Sequence, residues 1–307
     1  MKGLEAARRL YAEKGAAIIH EHFPEYEGRI AVGLAGSGSQ CLGFDDEISR
    51  DHDFEPGFCL WLTDADDARI GIELSRKMRD LFGSRVSQAS ALGTPGVGVM
   101  RISDFYRRFT GLPGAPETWQ DWLYLPSYAL AQAVSGDVFR DDLGEFSRIR
   151  QSFLDMPQDV RLKKLAGHLI MAAQAGQYNF KRCISHGETG GAQLAMIEFA
   201  DHAMSAVFLL NRKYRPFYKW AFRAMRELEK LSELADTFEF LISSDNEPVT
   251  ASAKADIVED IASMIITELQ KQSLTDAICG DLEKHAYSVN DRISSTQLRT
   301  MHIMAGV

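Results

Sequence analysis

RIAVGLAGSGSQCLGFDDEISRDHDF, residues 29–54, is the stretch of the chain that decides its fold. The apolar run at 29–35 predicts a β-strand, and the small residues at 36–39 predict a tight turn directly after it. Backbone N–H groups in such a turn can approach an anion closely, and a helix that begins there adds the positive end of its dipole. A triphosphate is the natural ligand for this arrangement.

The same stretch ends in two aspartates one residue apart, Asp51 and Asp53. Residues two apart on a strand point to the same face, so we expect both carboxylates on one side and His52 on the other. Paired carboxylates suit Mg²⁺, which prefers oxygen ligands together with substrate phosphates. A Gly-Ser turn or an Asp-x-Asp pair alone is usually ordinary surface structure, but the two in this order favour a site shared by adjacent strands.

The periodicity of the remaining sequence predicts two domains. A small mixed sheet with helices is expected over residues 1–118, and an all-helical bundle over 119–307, so the predicted fold class is α+β. A Gly- and Pro-rich segment at 110–116 separates the two parts. Strands are predicted at 29–35, 51–62 and 96–102, and helices at 4–22, 66–82, 126–135, 141–155, 158–176, 191–212, 216–243, 252–272 and 280–302.

The composition is that of a soluble globular protein. The 307 residues are 45% hydrophobic and 25% charged, with a net charge of -9. No apolar run reaches the roughly 20 residues of a membrane span and the N-terminus does not resemble a signal peptide, so we expect a cytoplasmic protein without a membrane partner. The acidic balance disfavours a long nucleic acid, although a local basic groove stays compatible with one. The four cysteines show no zinc spacing and are expected to be reduced thiols.

The pattern Gly38-Ser39-x-x-x-Gly43 followed by Asp51-x-Asp53 resembles the signature of nucleotidyltransferases with the DNA polymerase β-like fold. The longer string at 38–53 is similar to one bacterial branch of nucleotidyltransferase-like proteins, the domain-of-unknown-function family DUF4037. A second segment, FLLNRKYRPFYKW at 208–220, resembles a basic and aromatic run in the helical domain of that branch. The resemblance covers most of the chain and is strong at these two segments.

The resemblance implies an N-terminal polymerase β-like nucleotidyltransferase domain with an NTP, ATP being favoured, in the cleft before the helical domain. The implied reaction transfers a nucleoside monophosphate to a hydroxyl acceptor and releases pyrophosphate. Gly38 and Ser39 would hold the terminal phosphates, and Asp51 and Asp53 would bind Mg²⁺ or Mn²⁺. The superfamily usually adds a third carboxylate, for which Asp104 after the strand 96–102 is the candidate.

Three basic residues are further candidates for nucleotide binding. Arg50 is placed either to hold a phosphate or to pair with an acidic residue at 45–47. Lys219 is expected near the N-terminus of a helix that starts at Pro216, which suits contacts to triphosphate or base. Arg182 is predicted on the turn after the helix 158–176. The aromatic residues around Lys219 are interpreted as core residues at helical spacing, namely Tyr214, Tyr218 and Trp220.

The acceptor stays open. A small hydroxylated molecule suits the acidic surface, because the helical domain supplies acceptor contacts in similar antibiotic-modifying enzymes; a protein side chain and an RNA end are the other candidates. The non-enzymatic alternative is a nucleotide-binding sensor or toxin-antitoxin-like partner that keeps the fold without turnover. The sequence lacks both a Gly-x-Ser-x-Gly elbow and a Walker lysine, which disfavours serine hydrolases and P-loop NTPases.

Overall fold

The computed structural model describes residues 2–47, 56–82 and 97–307. Their secondary structure is mixed and mainly helical, with one four-stranded sheet, which confirms the predicted α+β class. The chain forms two compact units, the first from residues 1–117 and 129–155 and the second from 118–128 and 156–307. This division differs from the predicted boundary at 118/119, because residues 129–155 join the first unit.

Seventeen α-helices and four strands are found in the described residues. Three π-helical stretches join neighbouring helices without a break: Tyr11–Gly15 joins α1 to α2, Asp67–Gly71 joins α4 to α5, and Ala173–Phe180 joins α10 to α11. The strands are β1 Ala31–Ala35, β2 Cys59–Leu62, β3 Gly98–Arg101 and β4 Gly136–Arg140. The helices are α1 Gly3–Leu10, α2 Ala16–His22, α3 Ser39–Leu42, α4 Asp64–Asp66, α5 Ile72–Phe82, α6 Ile102–Thr110, α7 Trp119–Tyr124, α8 Ser127–Val134, α9 Glu145–Leu154, α10 Gln158–Ala172, α11 Lys181–Ser185, α12 Thr189–Leu210, α13 Tyr218–Met225, α14 Leu234–Ser243, α15 Pro248–Lys271, α16 Leu282–Asp291 and α17 Thr296–Arg299.

The strands of the first unit lie in the order β3-β2-β1-β4. β1 is antiparallel to both neighbours, with Gly33 opposite Cys59 of β2 and Ala35 opposite Gly136 of β4. β3 is parallel to β2, with Arg101 beside Leu62. β1 therefore ends where the other three strands begin, at what is termed here the upper end of the sheet. The other three strands end at the opposite, lower end.

Both faces of the sheet are covered by helices of the first unit. Val32 and Leu60 belong to a buried cluster with Ile19 of α2 and Leu74 of α5. The alternation of side chains along a strand sends Trp61 to the other face. There its ring stacks on a phenylalanine of α9, Phe146, at a centroid distance of 3.9 Å. Burial on both faces explains why the predicted strand at 29–35 is a continuous apolar run.

β4 corrects the prediction that the chain is helical throughout after residue 119. The expected helices at 126–135 and 141–155 are present as α8 and α9, but the five residues between them form a strand on β1. Gly33 and Gly136 permit this pairing, because a Cβ on either would collide with backbone atoms of the facing strand. Val138 and Phe139 are residue types that favour strands.

Buried lysines tie the second unit together. Lys163 donates hydrogen bonds to the carbonyl of Met301 at 2.8 Å, and Lys164 to the carbonyl of Gly306 at 3.1 Å. Both bonds fasten the end of the chain to α10. Burial lowers the pKa of Lys164 to about 8, and it also lowers the pKa of Lys163 and of Lys254 on α15.

Helix α12 is the central apolar helix of this unit. It is long and apolar enough to cross a membrane by length and composition, yet 61% of its apolar window is buried inside the protein. A buried core helix passes the same test as a membrane span, so the described residues are compatible with a soluble protein.

The predicted helix at 216–243 is wrong, because the chain forms two helices there, α13 and α14. The residues between them include Leu231, which has a φ of 60°. A left-handed backbone at a non-glycine residue interrupts an α-helix. Apolar periodicity on both sides of the break makes the two helices look continuous in the sequence.

Candidate functional site

The predicted Gly-Ser turn follows β1 at the upper end of the sheet. Gly36 and Gly38 have φ angles of 110° and 109°, a region that other residues rarely adopt. A Cβ on Gly36 would lie 2.8 Å from the ring of Phe109, whereas one on Gly38 would meet no atom of the described residues within 4 Å. Gly36 is therefore closed in by α6, while none of the described residues covers the backbone at Gly38. Ser135 of the first unit donates a hydrogen bond to the carbonyl of Gly36.

The first turn of α3 starts at Ser39, and the loop after it is held by the N-terminus of the chain. The backbone N–H of Gly3 donates to Asp45 Oδ2 at 2.8 Å. Lys2 Nζ donates to the carbonyls of Gly43 and Asp45 at 2.9 and 3.0 Å. The buried Asp45 carboxylate thus serves as an acceptor at the start of α1, and the turn and loop at 36–45 are anchored at both ends.

The predicted pair of aspartates belongs to a segment that the structure does not describe. Asp51, Asp53 and Arg50 lie outside the described residues, so their roles stay predictions. The chain resumes at Pro56 and enters β2 at Cys59. Because Cys59 pairs with Gly33 of the antiparallel β1, β2 begins at the upper end of the sheet, where the turn is located.

Asp104 lies at the other end of the sheet. The predicted strand at 96–102 is observed as β3, but Asp104 falls in the first turn of α6 after the lower end of β3. Its carboxylate is half-exposed and lies 3.4 Å from Arg107 of the same helix. The hydroxyl of the neighbouring Ser103 donates a hydrogen bond to the carboxylate of Asp64, which follows the lower end of β2. The structure does not bring Asp104 together with Gly38 and Ser39, because β3 runs parallel to β2 and away from the turn.

A carboxylate that the sequence analysis missed lies closer to the turn. Asp137 is the only acidic residue in the four strands of the described structure, and it pairs with Leu34 just before β1 ends. Its half-exposed side chain forms an ion pair with Arg8 of α1. The signal that could have found it is the short Gly-Asp-Val-Phe-Arg segment between two predicted helices, which has the composition of a strand.

The other two basic candidates belong to the second unit. Lys219 is exposed in the first turn of α13, which starts at Tyr218 and not at Pro216 as predicted, and its Nζ lies 5.0 Å from the centre of the Trp220 ring. The prediction that the neighbouring aromatic residues are core residues is wrong for Tyr218, which is 72% exposed. The spacing of aromatic residues in the sequence is the same for a buried row of side chains on a helix and for a short helix whose first turn is exposed.

Arg182 does not lie on a turn, because the π-helical stretch carries the helix from α10 directly into α11. Its guanidinium lies 5.2 Å from the centre of the Tyr178 ring. Tyr178 lines a cavity of about 450 Å³ that also contains the carboxylates of Glu259, Asp281 and Glu283. Arg182 is not among the residues that line this cavity, so its role in phosphate binding stays a prediction.

Residues 2–47, 56–82 and 97–307 contain no candidate metal-binding cluster, and the two cysteines near the turn are buried. These residues contain no cluster of three or more His, Cys, Asp or Glu side chains that could hold a metal ion. Cys41 and Cys59 are buried, and burial raises the pKa of the Cys41 thiol to about 12 and that of Cys59 further. All four cysteines are reduced, as expected, and the two beside the turn are inert at neutral pH.

Comparison with known proteins identifies a family for part of the chain. Residues 122–221 match the model of a domain of unknown function, DUF4037. The matched range includes β4 and the segment at 208–220 but not the Gly-Ser turn. No curated protein matches the chain. The match supports the resemblance to DUF4037 that the sequence indicates, and residues 122–221 are thus similar to a family whose function is not defined.

Proposed function

We propose that the protein is a Mg²⁺-dependent nucleotidyltransferase that moves a nucleoside monophosphate from an NTP to a hydroxyl acceptor and releases pyrophosphate. The observation that carries the proposal is the turn at Gly38, which no residue of the described ranges covers and which is located at the end of the sheet where β2 begins. The Asp51-x-Asp53 pair precedes β2 by only a few residues in the sequence. The topology therefore supports a site in which phosphate-binding and metal-binding residues come from neighbouring strands.

The phosphate-binding part of the proposed site rests on the backbone. Gly38 has no side chain, and no described residue would contact a Cβ there, so a phosphate can approach its peptide group closely. Ser39 follows at the start of α3, where its hydroxyl and the first N–H groups are available donors. We assign the terminal phosphates of the NTP to these two residues, and Arg50 stays a proposed phosphate contact.

The metal-binding part rests on the carboxylates. Asp51 and Asp53 supply the oxygen donors that Mg²⁺ or Mn²⁺ prefers, and a bound ion would neutralise charge on the phosphates. We propose Asp137 as the third carboxylate in place of Asp104, because Asp137 is on the strand beside the end of β1. Its partner Arg8 is half-exposed, so the ion pair contributes little free energy and a metal ion can replace Arg8 beside the Asp137 carboxylate at low cost.

For the basic residues of the second unit, Lys219 and Arg182, nucleotide binding stays a prediction from the sequence. ATP is the favoured NTP, but the sequence does not fix the preferred base or the acceptor. A small hydroxylated molecule is the proposed acceptor class because of the acidic composition of the chain.

The test is an incubation with α-labelled ATP, CTP, GTP or UTP, Mg²⁺ and an extract of small molecules, in which pyrophosphate release and label transfer are measured. We expect Asp51→Asn, Asp53→Asn and Asp137→Asn each to lower turnover about 100-fold or more. Asp104→Asn and the exposed Asp80→Asn serve as matched controls and should retain turnover.

Two outcomes contradict parts of the proposal. Nucleotide binding in calorimetry without pyrophosphate release from any of the four NTPs favours the alternative of a nucleotide-binding sensor. Loss of turnover in Asp104→Asn with retention in Asp137→Asn reverses the assignment of the third carboxylate. Melting temperatures of all variants should stay close to that of the parent, since a folding defect would also abolish turnover.

A further inference from the structure

Three aromatic rings lie side by side on the surface of the second unit, and this set, Tyr128, Phe217 and Tyr218, is termed the aromatic platform. The residues are 45%, 46% and 72% exposed. The ring centres of Tyr128 and Phe217 are 6.1 Å apart, and those of Phe217 and Tyr218 are 4.3 Å apart. Contiguous exposed rings of this kind mark a binding surface on a soluble protein.

The platform is held in place from beneath. The backbone N–H of Arg215 donates to Ser127 Oγ at 2.7 Å, which links the residue before Tyr128 to the segment before Phe217. The guanidinium of Arg215 donates to Ser205 Oγ at 2.9 Å on α12. The rings are therefore presented by anchored backbone, and a ligand that stacks on them orders little additional chain.

The stretch of sequence that carries Phe217 and Tyr218 is basic, although Arg215 and Arg226 within it pair with Asp201 and Asp236 outside it. Residues 203–226 contain six lysines and arginines and no acidic residue, in a chain with a net charge of -9. Lys219 directly follows Tyr218, and Lys213 lies upstream in the same stretch. Within the described part of the chain, neither lysine forms an ion pair. Both are thus available to a polyanion.

We propose that the aromatic platform and Lys219 bind a short segment of single-stranded nucleic acid. Bases stack on Tyr218 and its neighbours, and Lys219 contacts the phosphate backbone. Every base has a π face, so stacking rings together with unpaired cations are the features that single-stranded nucleic acids require. An apolar protein partner would fit the rings but would not explain why residues 203–226 are basic and contain no acidic residue. The inference goes beyond nucleotidyl transfer and does not depend on it.

The test is fluorescence anisotropy of a labelled oligouridylate of about 12 nucleotides with the full-length protein, without Mg²⁺ or NTP. Tyr218→Ala is expected to weaken binding about five-fold or more, and Tyr218→Phe to retain it, because the ring and not the hydroxyl makes the contact. Tyr287→Ala on α16, a tyrosine that is 47% exposed, is the matched control and should bind like the parent.

The contribution of Lys219 is measured by the salt dependence of the same binding. Lys219→Ala removes one cation from the phosphate backbone, so the slope of log K against log salt should fall by about 0.7. Equal affinities of the parent and Tyr218→Ala, or an unchanged salt slope in Lys219→Ala, overturn the proposal. Dimerisation in analytical ultracentrifugation that requires Tyr218, without oligonucleotide binding, also overturns it and assigns the platform to a protein partner.

Discussion

Acid should destabilise the second unit through a partly buried pair of histidines. His168 Nδ1 of α10 and His202 Nδ1 of α12 lie 2.9 Å apart, and His202 Nε2 lies 3.1 Å from Glu198. Two ring nitrogens at hydrogen-bond distance need one donor and one acceptor. Because His202 Nε2–H donates to Glu198, we assign the shared proton to His168 Nδ1. Protonation of both rings would place two N–H groups opposite each other.

The surroundings hold His168 in its neutral form. Burial lowers the pKa of His168 well below its ordinary value, and the neighbouring His202, Lys164 and Arg215 lower it further. Burial also lowers the pKa of His202, although Asp201 and Glu198 act in the opposite direction. In the unfolded chain a histidine has a pKa of about 6.5, so below that pH the unfolded state binds a proton that folded His168 does not.

The free energy of unfolding should therefore be fully retained above about pH 6.5 and decrease as the pH falls below it. From pH 7.5 to pH 5.0, a histidine that stays neutral in the folded state costs about 2 kcal/mol. His168→Gln removes this pH dependence while its amide N–H can still donate to His202. Urea unfolding at the two pH values should show that the variant loses about 2 kcal/mol less than the parent.

His186→Gln, at an exposed position after α11, is the matched control and should lose as much free energy of unfolding as the parent. The reasoning is refuted if His168→Gln and the parent lose the same free energy between pH 7.5 and pH 5.0. Such a result would mean that folded His168 takes up a proton as readily as the unfolded chain does.

Two further predictions concern packing and the anchor of the turn. Gly176→Ala places a methyl group closer to the buried Phe199 ring than van der Waals contact allows, so urea unfolding should show a loss of about 1–3 kcal/mol in the free energy of unfolding. Gly114→Ala is the control: a methyl group there has no described residue within 4 Å, so the free energy of unfolding should not change. Asp45→Ala removes the acceptor of the Gly3 N–H and should lower the free energy of unfolding by about 1 kcal/mol. Asp45→Asn should lose much less, because its amide oxygen still accepts the hydrogen bond. Equal losses in the two variants would contradict the assigned hydrogen bond.

The sequence predicts β1 and its turn well because both depend on local chemistry. The apolar residues at 30–35 are buried on both faces, and Gly36 and Gly38 adopt backbone angles that favour glycine. β4 could not be found in the same way. Its five residues are stabilised by pairing with β1, which is about a hundred residues earlier in the chain, and flanking helices dominate the local periodicity.

The position of Asp104 is difficult to predict for a different physical reason. A strand followed by an acidic residue looks the same in the sequence whether the strand runs toward the turn or away from it. Only the parallel pairing of β3 with β2 shows that Asp104 lies at the lower end of the sheet. Tyr218 illustrates a third limit, because aromatic residues at helical spacing show that a helix is amphipathic but not which of its faces is covered.

The path of the chain between the two units has a practical consequence. The backbone leaves the first unit after residue 117, returns at 129 and leaves again after 155, so neither unit is a continuous piece of sequence. A protein cut at residue 118 would keep β1 but lose the strand that covers its outer side, and the bared strand would be open to pairing with other molecules. The matched range 122–221 likewise combines residues 129–155 of the first unit with residues of the second, so we expect that it would not fold when excised.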